Sequence, residues 1–237
     1  MHHASRQESA TTPAERLATV RARIAAAERA AERPAGSVTL IAVAKTRSAG
    51  EIRAMANAGV HDIGENYLQE TLGKQDALAD PELCWHFIGA VQSNKTRILA
   101  ERFAWVHTVD RLKIARRLSE ARPAELPPLN LCVQVNLDAE PTKAGIAPTE
   151  VAELVAAVAE LPRVRMRGLM AIPAPRTDAG AQREAFASLA RLAATLPELD
   201  VLSMGMSDDL EAAVAAGATH VRIGTALFGP RDGATDP

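Results

Sequence analysis

The chain has 237 residues and a net charge of −2, which suits one barrel domain of roughly 250 residues and gives no electrostatic case for binding nucleic acid or an anionic membrane. Hydrophobic residues make up 47% and aromatic residues only 3%, so the core has to be built from Ala, Val, Leu and Ile. No apolar run approaches the roughly 20 residues of a membrane-spanning helix, and residues 1–16 lack the apolar core of a signal peptide. We therefore expect a cytoplasmic protein.

The N-terminal part of the chain divides into a polar terminus and a helix. Residues 1–12 are polar and without periodicity, which predicts a disordered segment before a single domain over 13–237. Residues 13–33 are rich in Ala, Glu and Arg, and this stretch predicts an additional helix ahead of the first strand. The apolar residues at helical spacing in it are Leu17, Val20, Ile24 and Ala27.

Strands and helices then alternate along the chain. The stretch 38–45 is almost continuously apolar or β-branched, as in a parallel strand that is buried on both faces. Further strands are predicted at 59–66, 85–89, 105–109, 129–137, 165–172, 201–204 and 219–223. Helices are predicted at 49–58, 67–80, after 92–95, and at 111–121, 148–161, 179–195 and 207–216. This alternation predicts a (β/α)8 TIM-type barrel with an additional N-terminal helix, rather than an open doubly wound sheet.

Lys45 is the last residue of the first predicted strand. Barrels carry their chemistry at the carboxyl ends of their strands. A partly desolvated amine at this place is easier to deprotonate and can attack a carbonyl. The alternative is a lysine that closes the strand and extends its charge into water, and the residues alone favour neither interpretation.

The loops after the seventh and eighth strands have the residue types of a phosphate site. Gly205 and Ser207 follow the seventh strand, and Gly224 and Thr225 follow the eighth. Glycines let backbone N–H groups approach an anion, and hydroxyls and helix N-termini add further donors. Ordinary helix capping is the alternative, although two such loops at this point of a barrel favour phosphate. A lysine that attacks carbonyls beside a phosphate site indicates either pyridoxal 5′-phosphate (PLP) or an aldolase for sugar phosphates.

Longer motifs resemble those of one family, the PLP homeostasis proteins, which are single-domain relatives of the alanine racemase barrel. The resemblance runs from about residue 38 to 229. Its motifs are AVAKT at 42–46, GENYLQE at 64–70, WHFIG at 85–89, QSNK at 92–95, GLM at 168–170, LSMGMSD at 202–208 and VRIGT at 221–225. The departures, at 90–91 and 138–140, lie outside the cofactor motifs and concern loop shape and partner surface.

The resemblance implies a role for each matching residue. It implies that Lys45 binds PLP as an internal aldimine and that Arg222 lies near the pyridine ring. The other implied contacts are Ser207, Gly224 and Thr225 around the phosphate, with Asn66 and Met206 beside the cofactor. It further implies a role in vitamin B6 and amino-acid homeostasis without established turnover. We expect apo forms of PLP-dependent enzymes as recipients of the cofactor, and a monomer or weak dimer as the assembly.

A PLP-dependent amino-acid racemase is the alternative function. Racemases of this fold take a second base, a tyrosine, from an extra β-domain, and the single tyrosine here is Tyr67, just past the second strand. An arginine at the ring nitrogen also disfavours its protonation and weakens the electron sink of PLP chemistry. The residues therefore favour a carrier, with no catalytic residue assigned. Lys143, on the loop after the fifth strand, is either a solvated loop lysine, which the residues favour, or a transient acceptor of the cofactor.

Other polar residues have structural interpretations. His86 lies in an apolar strand and predicts a core histidine that has hydrogen-bond partners. Glu65 is either catalytic or a cap of the following helix. Ser93 or Asn94, Asp110, and Asp208 with Asp209 are expected to cap or complement helix N-termini. Cys84 and Cys132 are expected to be buried free thiols, and no metal site is predicted.

Overall fold

The strands close into a parallel barrel in chain order. The computed structural model describes residues 11–138, 144–174 and 178–230. Its strands are β1 Thr39–Val43, β2 Asp62–Glu65, β3 Cys84–Phe87, β4 Trp105–Val109, β5 Leu129–Gln134, β6 Val164–Met170, β7 Val201–Ser203 and β8 His220–Ile223. Each strand pairs with the next, and β8 pairs with β1 from Thr39 opposite His220 to Ala42 opposite Ile223. The predicted barrel is confirmed.

Helices cover the outside of this barrel. They are α1 Pro13–Ala30, α2 Ala49–Asn57, α3 Leu68–Leu78, α4 Thr96–Arg102, α5 Leu112–Ala121, α6 Val151–Ala159, α7 Ala179–Ala194, α8 Leu210–Ala215 and α9 Thr225–Phe228. Of the helices in the described ranges, none is long and apolar enough to cross a membrane.

The additional N-terminal helix α1 packs beside α8 and α9. The apolar positions predicted from its periodicity, Leu17, Val20, Ile24 and Ala27, are all buried. Residues 1–10 lie outside the described residues, but Thr12, which the sequence assigned to the disordered terminus, caps α1. The Thr12 side chain accepts from Glu15 N–H at 3.2 Å, and Glu15 accepts from Thr12 N–H at 2.7 Å. This capping box ties the start of the helix to its own first turn.

Two predicted caps are wrong. Ser93 and Asn94 form a short 3₁₀ turn, Ser93–Lys95, ahead of α4, and neither caps that helix. Asp110 forms an ion pair with Arg111 at 2.8 Å instead of capping α5. Asp110 lies two residues before Leu112, where α5 begins, and its carboxylate is bound by the guanidinium of Arg111.

The inside of the barrel contains buried polar side chains. Successive residues of a strand point to opposite faces, so alternate residues of each strand face the barrel interior. His107 on β4 lies 2.9 Å from Ser203 on β7, a contact that can form only across this interior. The apolar side chains of the strands pack outward against the helices, and a smaller cluster of Trp105, Cys132, Met170 and Val201 also lies in the core.

Candidate functional site

A cavity of about 230 Å³ lies at the carboxyl ends of the strands. Every residue for which the family resemblance implied a contact with the cofactor lines it: Lys45, Asn66, Met206, Ser207, Arg222, Gly224 and Thr225. The rest of its wall is Val43, Arg47, Ile88, Ile172 and Asp208. These further residues also follow or end strands, so their position was the one signal that could have identified them from the sequence.

Lys45 follows β1 on a backbone turn that is held from both sides. Ala44 N–H donates to Gly64 O at 2.9 Å, and Arg47 N–H donates back to Ala44 O at 3.0 Å. Between them, Thr46 has a φ of 64°, which is unusual for a β-branched residue. Strained residues of this kind concentrate at functional sites, where the surrounding structure holds them in place.

Arg47 anchors this turn to the C-terminal segment. Its guanidinium donates to Gly229 O and, at 3.0 Å, to Pro230 O, and it pairs with Glu51 at 3.2 Å. It also lies over the Phe228 ring, 5.8 Å from the centroid. The cavity wall therefore contains a cation that the sequence analysis did not single out.

Arg222 is buried at the base of the cavity. Its Nη1 donates to Ser203 Oγ at 2.8 Å and its Nη2 donates to Ala171 O at 3.0 Å. Burial lowers the pKa of the guanidinium to about 10, which still leaves it charged at neutral pH. Two fixed hydrogen bonds on separate nitrogens determine how this cation faces the cavity.

The loops after β7 and β8 form the polar side of the cavity. Ser207 is held by α1, because Arg23 Nη2 donates to Ser207 O at 2.9 Å and Arg23 also pairs with Glu211 at 2.8 Å. Asp209 accepts from Met206 N–H at 2.5 Å. The loop is thus fixed from both sides, and the N-terminal helix has a direct part in this.

The helix N-termini expected at this corner differ from the prediction. The helix predicted from 207 begins only at Leu210, and the helix that follows Gly224 has just 4 residues. Gly205 is absent from the cavity wall; it has a φ of 95°, and a Cβ there would lie 2.5 Å from the Ala213 side chain. Hydroxyls and loop amides remain as donors, without a helix dipole of useful length.

The backbone of Asn66, in the cavity wall, lies in close contact with the backbone of Gly89. A Cβ on Gly89 would lie 2.1 Å from Asn66 O, so glycine is required there for the two loops to approach. Within the described residues, Asn66 Oδ1 is buried and has no hydrogen-bond partner. A buried acceptor of this kind is costly unless a ligand donates to it.

Glu65 does not cap α3, and it is not among the residues that line the cavity. It is fully buried, and Lys74 Nζ lies 2.7 Å from Glu65 Oε1 and donates at 2.9 Å to Ala44 O. Burial raises the pKa of the Glu65 carboxyl, although the Lys74 ammonium opposes this. The pair supports the backbone just before Lys45.

His86 is a core histidine, as predicted, but its neighbours were not foreseen. It hydrogen-bonds to His107 and, at 2.9 Å, to Asp62. The side-chain atoms of Asp62, Cys84 and His86 that could coordinate a metal all lie within 4.8 Å of one another.

The two cysteines differ in burial. Cys84 is only partly buried, contrary to expectation, whereas Cys132 is buried. Burial raises the pKa of both thiols to about 12. Lys143 lies outside the described residues.

Fold and site together define a class of protein: a (β/α)8 barrel with a lysine after its first strand and a polar loop after each of its last two. Residues 16–232 match the family described as alanine racemase, N-terminal domain. The chain is 60% identical over 223 residues to the pyridoxal phosphate homeostasis protein of Pseudomonas aeruginosa, covering 94% of this chain and 97% of the relative. It is 52% identical over 226 residues to the protein of that name from Escherichia coli K12, covering 92% and 97%. The chain therefore belongs to the pyridoxal phosphate homeostasis proteins of the alanine racemase N-terminal domain family.

Solved structures agree with this assignment. PipY of Synechococcus elongatus, solved with PLP bound, has a TM-score of 0.81 and 39% identity, covering 92% of this chain and 100% of PipY. An alanine racemase of Clostridium difficile has a TM-score of 0.71 at 13% identity, covering 92% of this chain and 58% of the racemase. The second likeness shows the shared barrel alone.

Proposed function

We propose that this chain binds PLP in the cavity, holds it reversibly as a Schiff base on Lys45, and serves vitamin B6 and amino-acid homeostasis without catalytic turnover. The observation that carries the proposal is the meeting of Lys45, Arg222 and two polar loops, which lie far apart in sequence, around one cavity. The names of the relatives favour PLP over a sugar phosphate, the alternative that the residues alone leave open.

The residues of the cavity fit this cofactor. Lys45, Arg47 and Arg222 outnumber the one carboxylate of the wall, Asp208, so the cavity attracts an anion. Ser207 and Thr225 offer hydroxyls to the phosphate beside the amides near Gly224. Asn66 also lines the cavity, and its Oδ1, for which the described residues offer no partner, is an acceptor for a hydroxyl of the ring.

PLP supplies an aldehyde and, once joined to an amine, an electron sink. Lys45 would hold the cofactor through its amine, which would condense with the aldehyde with loss of one water and would be freed again by hydrolysis. Reversibility suits a carrier that passes PLP to apo-enzymes.

Two features of the cavity oppose turnover. Tyr67, the single tyrosine, is 53% exposed and does not line this cavity, so a second base for racemisation has no tyrosine among the wall residues. Arg222 stays charged with a pKa of about 10, so it offers the ring nitrogen only N–H donors. A ring nitrogen that stays unprotonated weakens the electron sink.

The proposal is tested by loading the protein with PLP, reducing it with borohydride and mapping the modified peptide. Lys45→Ala should lose both the yellow absorbance and the fixed adduct, whereas Lys95→Ala, which removes a lysine near another cavity, should keep both. An adduct on a different lysine alone contradicts the assignment.

The phosphate and turnover parts are tested separately. Replacing Ser207 and Thr225 by Ala should weaken the binding of PLP by about tenfold or more, since a hydrogen bond to a charged group contributes about 1.5–3 kcal/mol. The same replacement should weaken the binding of pyridoxal, which has no phosphate, much less. If PLP and pyridoxal lose the same affinity, Ser207 and Thr225 do not bind the phosphate and act only as structural caps.

The turnover test incubates the PLP-loaded protein with single L-amino acids. If the protein converts any of them over multiple turnovers to the D-isomer, keto acid or amine, and Lys45→Ala abolishes this activity, the protein is a racemase-like enzyme and not a carrier.

A further inference from the structure

A chain of hydrogen bonds crosses the inside of the barrel from the cavity to the amino ends of the strands. Arg222 Nη1 lies 2.8 Å from Ser203 Oγ, which lies 2.9 Å from His107 Nδ1. His107 Nε2 lies 3.0 Å from His86 Nδ1, and His86 Nε2 lies 2.9 Å from Asp62 Oδ1. Arg222 lines the cavity, whereas Asp62 is the first residue of β2, at the other end of the barrel.

The two ends of this chain determine the direction of every bond in it. A carboxylate only accepts, so His86 donates to Asp62 from Nε2; a neutral His86 then accepts at Nδ1, and His107 donates to it from Nε2. His107 therefore accepts at Nδ1 and Ser203 donates to it. Because a guanidinium only donates, Ser203 also accepts from Arg222. All the donors point from the cavity toward Asp62.

This arrangement requires two neutral rings and an ionised carboxylate. His86 and His107 are fully buried, and this burial lowers the pKa of His86 and places that of His107 well below its ordinary value. Burial raises the pKa of the Asp62 carboxyl, but its hydrogen bond from His86, together with the neighbouring histidines and Cys84, lowers this pKa overall. The Asp62 side chain is 29% exposed, so the charged end of the chain reaches solvent.

We propose that Ser203, His107, His86 and Asp62 are positioning residues, which hold the Arg222 guanidinium in one orientation in the cavity with the Asp62 charge as their anchor. The part of the proposal that concerns ligands rests on the proposed function. A guanidinium that is already held in its binding orientation increases the affinity for a planar ring, because ligand binding then does not have to order the side chain. The chain also leaves no buried hydrogen-bonding atom between Arg222 and Asp62 without a partner.

The first test is independent of any cofactor. Nitrogen-15 NMR of the ligand-free protein near neutral pH should show His86 and His107 as neutral rings protonated at Nε2. It should also show a scalar coupling between His107 Nε2 and His86 Nδ1 across their hydrogen bond. A ring protonated at Nδ1, a charged ring, or absence of the coupling overturns the proposed chain.

The second test uses variants at both ends. Asp62→Asn keeps the shape of the side chain and an acceptor oxygen but removes the charge, and Ser203→Ala removes the contact to Arg222. Asp200→Asn is the matched control, since Asp200 pairs at 2.6 Å with Arg167 outside the chain. We expect about tenfold weaker PLP binding for Ser203→Ala, a smaller loss for Asp62→Asn, and a displaced absorption maximum of bound PLP for both.

The outcomes separate the two proposals. If Asp62→Asn matches Asp200→Asn in affinity and absorption maximum, the chain has no positioning role. If the unmodified protein fails to bind PLP, the proposed function is wrong. The NMR measurement alone then decides whether the chain of hydrogen bonds from Arg222 to Asp62 exists. Because Asn has nearly the same shape as Asp, Asp62→Asn opens no cavity, so this variant tests the proposal even if Ser203→Ala does not fold.

Discussion

Replacing Lys74 by Met breaks the buried ion pair below Lys45. Glu65 is fully buried and Lys74 is the cation that faces it, at 2.7 Å. Met fills similar space without charge, so the variant leaves a buried carboxylate without its counter-ion. Removing one partner of a buried pair typically costs about 3–5 kcal/mol.

The size of the loss follows from protonation of Glu65. The stranded carboxyl can become neutral by taking up a proton, and from an ordinary pKa of 4.5 this costs about 1.36 kcal/mol per pH unit, or about 3.4 kcal/mol at about pH 7. Burial already raises the pKa of Glu65 in the native protein, so we expect a net loss of about 3 kcal/mol. At about pH 5 the same proton costs about 0.7 kcal/mol, and the loss shrinks to about 1 kcal/mol.

The sign of the pH dependence is specific. In the variant the folded protein binds a proton that the unfolded chain releases above about pH 4.5, so the free energy of unfolding falls as the pH rises. Urea unfolding followed by tryptophan fluorescence at about pH 5 and about pH 7 measures it. Lys113→Met on the exposed side of α5 is the control, and adding Glu65→Gln should recover most of the loss. An equal loss at both pH values, or none beyond that of Lys113→Met, refutes the reasoning.

Two further predictions concern stability. Burial lowers the pKa of His220 from 6.5 to about 4, so the unfolded chain takes up a proton that the folded protein rejects, and the free energy of unfolding should fall as the pH falls through this window. His220→Gln should remove about 3 kcal/mol of that fall, and an unchanged acid dependence in urea melts would contradict the assignment. A Cβ on Gly168 would lie 1.8 Å from Val201 O, so Gly168→Ala should cost about 3 kcal/mol or more by forcing β6 and β7 apart. Gly73→Ala on α3, where a Cβ meets nothing within 4 Å, should instead be neutral or stabilising in thermal melts.

The sequence by itself determined the order of the strands and helices and part of the cavity wall. Helical spacing identified the buried face of α1, and apolar runs located the strands, with β4 predicted at the bounds that the structure has, Trp105–Val109. Lys45, Ser207 and Thr225 could be brought together in advance, because the carboxyl ends of parallel strands in a closed barrel share one edge. Periodicity and the order of the elements along the chain are properties of the linear sequence, so they can be recognised without the tertiary structure.

Side-chain partners were decided only by the tertiary structure. The contact of His107 with Ser203 joins residues 96 positions apart, and that of Arg23 with Ser207 joins residues 184 apart. Glu65 looked like a catalytic or capping residue because its partner Lys74 lies on a helix whose rotation the sequence pattern does not specify. Hydrogen bonds depend on distances and angles that only barrel closure and helix packing set, so the pattern of residue types located the site but could not determine what holds it in place.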